Sequence, residues 1–260
     1  MRLNVIWLFF KLSVLNELQY RANFFVQLFQ SALALVISLG GLVIVFDHTD
    51  SLNGWRPPEL LAVLGVYFII GGFIYTFIQP SMQKLMEDVR LGTLDFVLLK
   101  PVESQLMVSV RQIQIWKLID IGVGLGVLTL GLRQMDTTIT AENVLFFLVL
   151  LVLGGLIVYS FWLILATISF WFVRIDNILV IFQSMYEAGR WPVRIYPGWL
   201  QFTLTFLVPV AFAVTVPVEA LTGRLTTNTL ITALVLALLM LTTSRIFWMI
   251  GVRHYSGASA

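Results

Sequence analysis

The chain has no cysteine and two histidines, His48 and His254, so neither a disulfide framework nor a thiolate metal site is open to it. Neither histidine has a partner at metal-ligand spacing, and H-E-x-x-H and G-x-S-x-G patterns are missing. Missing too is a G-x-x-x-x-G-K-[ST] loop, without which nucleotide phosphates are not cradled in the usual way. The sequence therefore offers no catalytic and no metal-ligating set. Charge is also scarce: 12% of residues are Asp, Glu, Lys or Arg, and a net +2 is too small to suggest nucleic acid as a partner.

What the chain does hold is apolar. With 59% hydrophobic residues in 260 and a mean hydropathy of +0.93, it carries more apolar surface than one soluble core hides, which implies an integral membrane protein. The runs are long and Leu-rich rather than alternating segments of about ten residues, so they predict helices of about 20 residues, not a barrel. The expected fold is an all-α, single-domain membrane protein spanning 1–260.

In order, 1–21 places Leu8, Leu12, Leu15 and Leu18 on one helical face and Ser13, Asn16, Glu17, Tyr20 and Arg21 on another, which predicts an amphipathic interfacial helix. Lys11 and Glu17 interrupt what would be the apolar stretch of a cleavable signal. Spans are predicted at Asn23–Phe46, Leu60–Gln79, Ile113–Leu132 and Asn143–Val173, with Pro57 and Pro58 opening the second and Gly122, Gly124, Gly126 and Gly131 giving the third a flat side. A shorter fifth span is predicted at Arg174–Gly189. Trp199–Val208 and Val210–Thr222, interrupted by Pro209 and Pro217, are each too short to cross and predict a re-entrant hairpin in the region 190–224. The simpler alternative is one span over Trp199–Val216 with Ile175–Tyr186 interfacial. Asn228–Gly251 is the last span.

The largest polar interruption is Pro80–Glu103. Ser81 suits the cap of a short helix Met82–Leu91, whose Leu85, Met86 and Val89 share a face opposite Lys84, Glu87, Asp88 and Arg90. Gly92 suits its stop, and a second short run, Leu94–Leu99, ends before Pro101. Of the 16 Lys and Arg, five (Arg56, Arg133, Arg190, Arg194, Arg224) fall on one side of the predicted topology and eleven on the other. By the positive-inside tendency both termini and the Pro80–Glu103 connection are cytoplasmic.

Ionisable groups beside spans are the remaining candidates for function, because an unpaired charge in hydrocarbon costs at least about 3 kcal/mol. Lys117 and Asp120 are spaced for a helical ion pair on the third span, and Glu187 and Arg190 repeat that spacing at the end of the fifth. The aromatics Phe161, Trp162, Phe170, Trp171 and Phe172 read as interface anchors and packing.

This order of parts resembles the permeases of type 2 ATP-binding-cassette exporters, the type V exporter-like group, and among them a six-span subgroup. The strings ELQYRANFF before the first span, VRLGTLDFVLLKPVES after the second and LVPVAFAVTVPVEALTG before the last carry the similarity, which runs over nearly the whole chain. The resemblance implies a translocation path built as a homo- or heterodimer with a second permease copy or paralogue. It places the ATP, magnesium and hydrolysis on a separate ATPase subunit and leaves this chain without a cofactor. It makes the Pro80–Glu103 connection a coupling helix gripped by that ATPase through Lys84, Glu87, Asp88, Arg90, Leu91 and Gly92, with Glu17 and Arg21 of the amino-terminal helix lying against it. Lys117, Asp120, Glu187, Arg190, Pro209 and Pro217 become pathway or gate candidates, and a bacterial inner membrane the natural location. Two other classes compete. A secondary transporter would favour an inverted repeat and midplane charges, and a membrane-embedded lipid-modifying enzyme would need a buried acid–base or metal constellation.

Overall fold

In hydrocarbon a backbone has only itself to bond to, and the long apolar runs fold accordingly. A computed structural model describes residues 11–12, 14–15, 21–135, 138–172 and 176–255, with the side chains of Arg21, Asp176 and Asn177 outside the description. The described residues form helices and connecting loops with no strand beyond an isolated Leu52–Trp55 bridge. Helix α1 is Arg21–Phe46, α2 Pro57–Phe73, α3 Gln79–Leu91, α4 Asp95–Leu98, α5 Ser104–Ser109 and α6 Leu118–Gln134. Then follow α7 Ala141–Thr167, α8 Asp176–Tyr186, α9 Gly198–Phe202, α10 Val216–Leu221 and α11 Thr227–His254.

Among the described residues five helices are long and apolar enough to cross a membrane: 22–46, 57–91, 115–134, 141–170 and 227–254. The pair Gly198–Leu207 and Ala211–Leu221, bent by 78°, is a sixth crossing if counted as one. The predicted fifth span needs correcting. Its described part is the 11-residue α8 and a 3-10 turn, Glu187–Arg190, which together reach about 25 Å and fall short of the hydrocarbon thickness of about 30 Å. Of the amino-terminal helix, residues 11–12 and 14–15 are helical, while Glu17 lies outside the described residues.

The second span does not end at Gln79. It continues through a π-helical turn, Ile74–Ile78, into α3, so 57–91 is one element of 35 residues. Pro80 is the reason for the widened turn. It has no N–H to give the Thr76 carbonyl four residues back, and its ring crowds that carbonyl. The other π turns, Thr203–Leu207 and Ala211–Thr215, likewise end two residues before a proline, Pro209 and Pro217. At Pro209 the helix breaks outright, which gives the 78° bend.

Helices α2 and α6 pack at backbone contact. A Cβ on Gly65 would stand 2.5 Å from the Leu128 nitrogen, one on Gly124 2.6 Å from the Gly65 carbonyl, and one on Gly131 2.8 Å from that of Pro58. Gly122 and Gly126 face open space, so only half of the glycines expected at this contact serve it. Gly154 meets the Phe212 backbone in the same manner and seats the bent pair on α7. The aromatics of α7 and of the 3-10 turn Ile168–Phe170 that follows it pack between helices: Phe161 on Phe182, and Phe170 on Trp248.

Around the connection between α1 and α2, loops clasp neighbouring helix ends. Arg224 bonds Glu59 at 2.6 Å and covers the Trp55 ring at 4.5 Å, while Arg194 pairs with buried Glu219 at 3.1 Å. At the opposite end Arg245 of α11 binds Glu103 and, at 2.8 Å, Gln105.

Candidate functional site: a polar cleft along the second span

Along the second span Tyr67, Gly71, Tyr75, Gln79 and Gln83 recur every fourth residue, and all five line one cleft of 470 Å³. A regular helix would turn Gln83 about 160° away from Tyr67 over that distance, and the extra residue held in the π turn takes back about 100°. The proline-induced turn thus keeps the stripe on one face. Facing it are Gln27, Gln30 and Ser31 of α1, Gln114, Lys117 and Asp120 before and in α6, and Gln183, Glu187 and Arg190.

All four ionisable pathway candidates meet at this cleft, in a different arrangement from that expected. Lys117 and Asp120 do not pair with each other. The Lys117 ammonium stands over the Tyr75 ring, 5.6 Å from its centroid. Asp120, buried, accepts from Gln27 Nε2 at 3.2 Å and from the Ser31 hydroxyl, both on α1. Arg190 and Glu187 do approach, at 3.8 Å, and Arg190 also covers the Tyr67 ring at 5.5 Å. Tyr67 stacks on Tyr186 with centroids 4.9 Å apart, and the Tyr186 hydroxyl donates to the Tyr67 carbonyl at 2.7 Å. The Gln79 Oε1 is buried without a partner among the described residues. Pro209 and Pro217 lie elsewhere, at the bend of the pair and in the first turn of α10.

The cleft adjoins two smaller ones. One of 380 Å³ shares Pro80, Gln83 and Gln114 with it and reaches Lys84, Glu87 and Arg90. Another of 210 Å³ shares Gln27, Gln114 and Lys117 and extends to Asn23, Val26 and Trp116. Polar groups thus run from the Glu87 surface to the membrane-spanning interior.

Helix α3 ends as expected at Gly92, whose φ of 69° is the left-handed conformation glycine takes most readily. The Gly92 N–H bonds the Val89 carbonyl at 3.3 Å and the Thr93 N–H that of Asp88 at 2.9 Å, a Schellman closure. Two expectations for α3 fail. Ser81 is no cap, since the helix has already begun; it is buried and donates to the Gln112 carbonyl at 2.9 Å. Asp88 is no outward contact: it is 1% exposed and holds Arg111, Thr93 at 2.9 Å and Lys84 at 3.3 Å. Burial lowers the Arg111 pKa, and the charge of Glu87 opposes that shift. Glu87, half-buried and held by Lys84 at 2.8 Å, and the exposed Arg90, Leu91 and half-exposed Gly92 are left facing outward.

Three contacts bind this helix to the segment leading into α6: Asp88 to Arg111, Ser81 to Gln112, and the Thr76 carbonyl to the Gln114 N–H at 3.0 Å. This explains why Ile113 and Gln114, predicted helical, are not helical. The glutamines and tyrosines of the cleft were missed by sequence reasoning, although the four-residue spacings of Gln27 and Ser31 and of Tyr75, Gln79 and Gln83 carried the signal. Among the described residues no group of three His, Asp or Glu converges as a metal site.

A family model described as ABC-2 family transporter protein matches residues 32–259. No curated protein and no solved structure matches the chain.

Proposed function

The chain belongs to the ABC-2 transporter family, a membrane component of an ATP-binding-cassette transporter, and on that premise we propose that it is the permease subunit of an exporter driven by a separate ATPase. The observation that carries this reading is the continuous 57–91 helix. One end presents Glu87 and Arg90, the other lines the polar cleft, and three bonds tie it to the wall holding Lys117 and Asp120. A push on the Glu87 end therefore moves both walls together, as a lever requires. ATP and magnesium act on the partner, two permease copies or paralogues form the path, and the Pro80–Glu103 connection lies on the cytoplasmic side of a bacterial inner membrane with both termini. Glu17 and Arg21 would lie against the same ATPase.

The test is charge reversal at the lever end. Glu87→Lys and Arg90→Glu, purified with the ATPase subunit, should lose transport and the response of ATP hydrolysis to the permease while the chain stays folded. Full coupled activity in both variants would overturn the coupling assignment. It would also return weight to an ATP-independent transporter.

A further inference from the structure

The cleft holds opposite charges that the fold leaves apart. Lys117 and Asp120 are three residues apart on one helical turn, yet the ammonium rests on the Tyr75 ring and the carboxylate on the neutral donors Gln27 and Ser31. No carboxylate lies within 4.0 Å of Lys117 among the described residues. Two separated charges in the first turns of a span are costly unless something wet or charged sits between them.

The walls also narrow the kind of occupant. A lone organic cation would find the faces of Tyr75 and Tyr67 already covered by Lys117 and Arg190. A lone anion would meet Asp120 and Glu187. A molecule carrying both charges matches the wall: its anion answers Lys117 and its ammonium answers Asp120, beside the Gln79 Oε1 that is buried without a partner among the described residues. The volume of 470 Å³ suits such a ligand.

We propose that the cleft is a binding site for a zwitterionic group with a primary ammonium and a single anionic charge, and that this group is what the transporter moves. The second half rests on the reading of the cleft as the pathway; the binding itself does not. The group is either a small soluble zwitterion or the head of a lipid, which reaches the cleft past Trp116.

The test uses the purified chain in a maltoside detergent, with thermal unfolding as readout. Saturating glycerophosphoethanolamine should raise the midpoint by about 3 °C, and its two halves, ethanolamine and dimethyl phosphate, each by less than half as much. Lys117→Gln and Asp120→Asn should each abolish the extra rise, whereas Lys117→Arg and Asp120→Glu, which preserve charge, should keep it and show that the fold survives substitution. A larger rise with dihexanoyl phosphatidylethanolamine assigns the site to a lipid head, and an equal one to a soluble molecule. No rise with either zwitterion, halves as effective as the whole, or a rise that survives in both neutral variants would overturn the proposal. The measurement needs no ATPase. Binding without a response to Glu87 and Arg90 reversal would therefore sink the coupling reading alone, and coupling without binding would sink this proposal alone.

Discussion

The Thr76 carbonyl accepts the Gln114 N–H at 3.0 Å, a bond that exists because Pro80, four residues after Thr76, has no N–H to offer. The second and third spans are thereby joined at the depth of the cleft, and the same proline sets the rotation that brings Gln79 and Gln83 into it.

Pro80→Ala restores the missing donor. Because proline in a helix interior costs about 3 kcal/mol, the variant should be as stable as the parent or more so, yet turn Gln79 and Gln83 away from the cleft. Thermal unfolding and transport measured together should diverge, with the midpoint unchanged or higher and transport reduced at least about tenfold. Parental transport would show that the π turn is dispensable.

Asp88→Ala should destabilise the fold through Arg111, whose side chain is 25% exposed and loses its carboxylate partner. Breaking a fully buried pair costs about 3–5 kcal/mol, and partial exposure of Arg111 reduces this to about 2 kcal/mol. A cycle with Arg111→Ala and the double variant, read by thermal unfolding, should show the double loss smaller than the two single losses combined. Additive losses would mean that the two side chains act independently.

Glycine substitutions in α6 should divide by face. Gly124→Ala places a methyl 2.6 Å from the Gly65 carbonyl and should cost about 1–3 kcal/mol, whereas Gly122→Ala and Gly126→Ala meet nothing and should gain up to about 1 kcal/mol from helix propensity. Midpoints of the three variants check this directly.

Glu103 caps α5 and holds Arg245 of the last span. Burial alone would raise its pKa, but the Leu106 N–H at 2.7 Å and the Arg245 guanidinium outweigh burial and hold it below the ordinary 4.5. A folded pKa lowered in this way gives stability that is complete above pH 4.5 and fades as pH falls through the folded value. The parent's midpoint should therefore fall more steeply than that of Glu103→Gln once the pH is taken below 4.5, and the two slopes should agree near neutrality.

The membrane class, the long spans and the helix stop at Gly92 were legible because apolar run length and glycine conformation are local properties. The position of the second span's end was not. Pro80 reads as a boundary in sequence, but the Gln114 N–H, 38 residues from Thr76 along the chain, compensates for the lost bond and lets the helix continue. Asp88 looked like surface because it shares a helix with Lys84 and Glu87, and only the fold brings Arg111 over it. Likewise the i,i+3 spacing of Lys117 and Asp120 suggested a pair that the neutral donors of α1 prevent.

The most direct test of the account is a photo-crosslinking amino acid placed at Glu87 in tagged protein from its native host, with the same group at Arg56 as the control beyond the opposite end of the span. The account predicts that Glu87 crosslinks to an ATP-binding-cassette ATPase subunit, identified by mass spectrometry, and that Arg56 does not. Equal labelling of the ATPase from both positions, or none from Glu87, would contradict it.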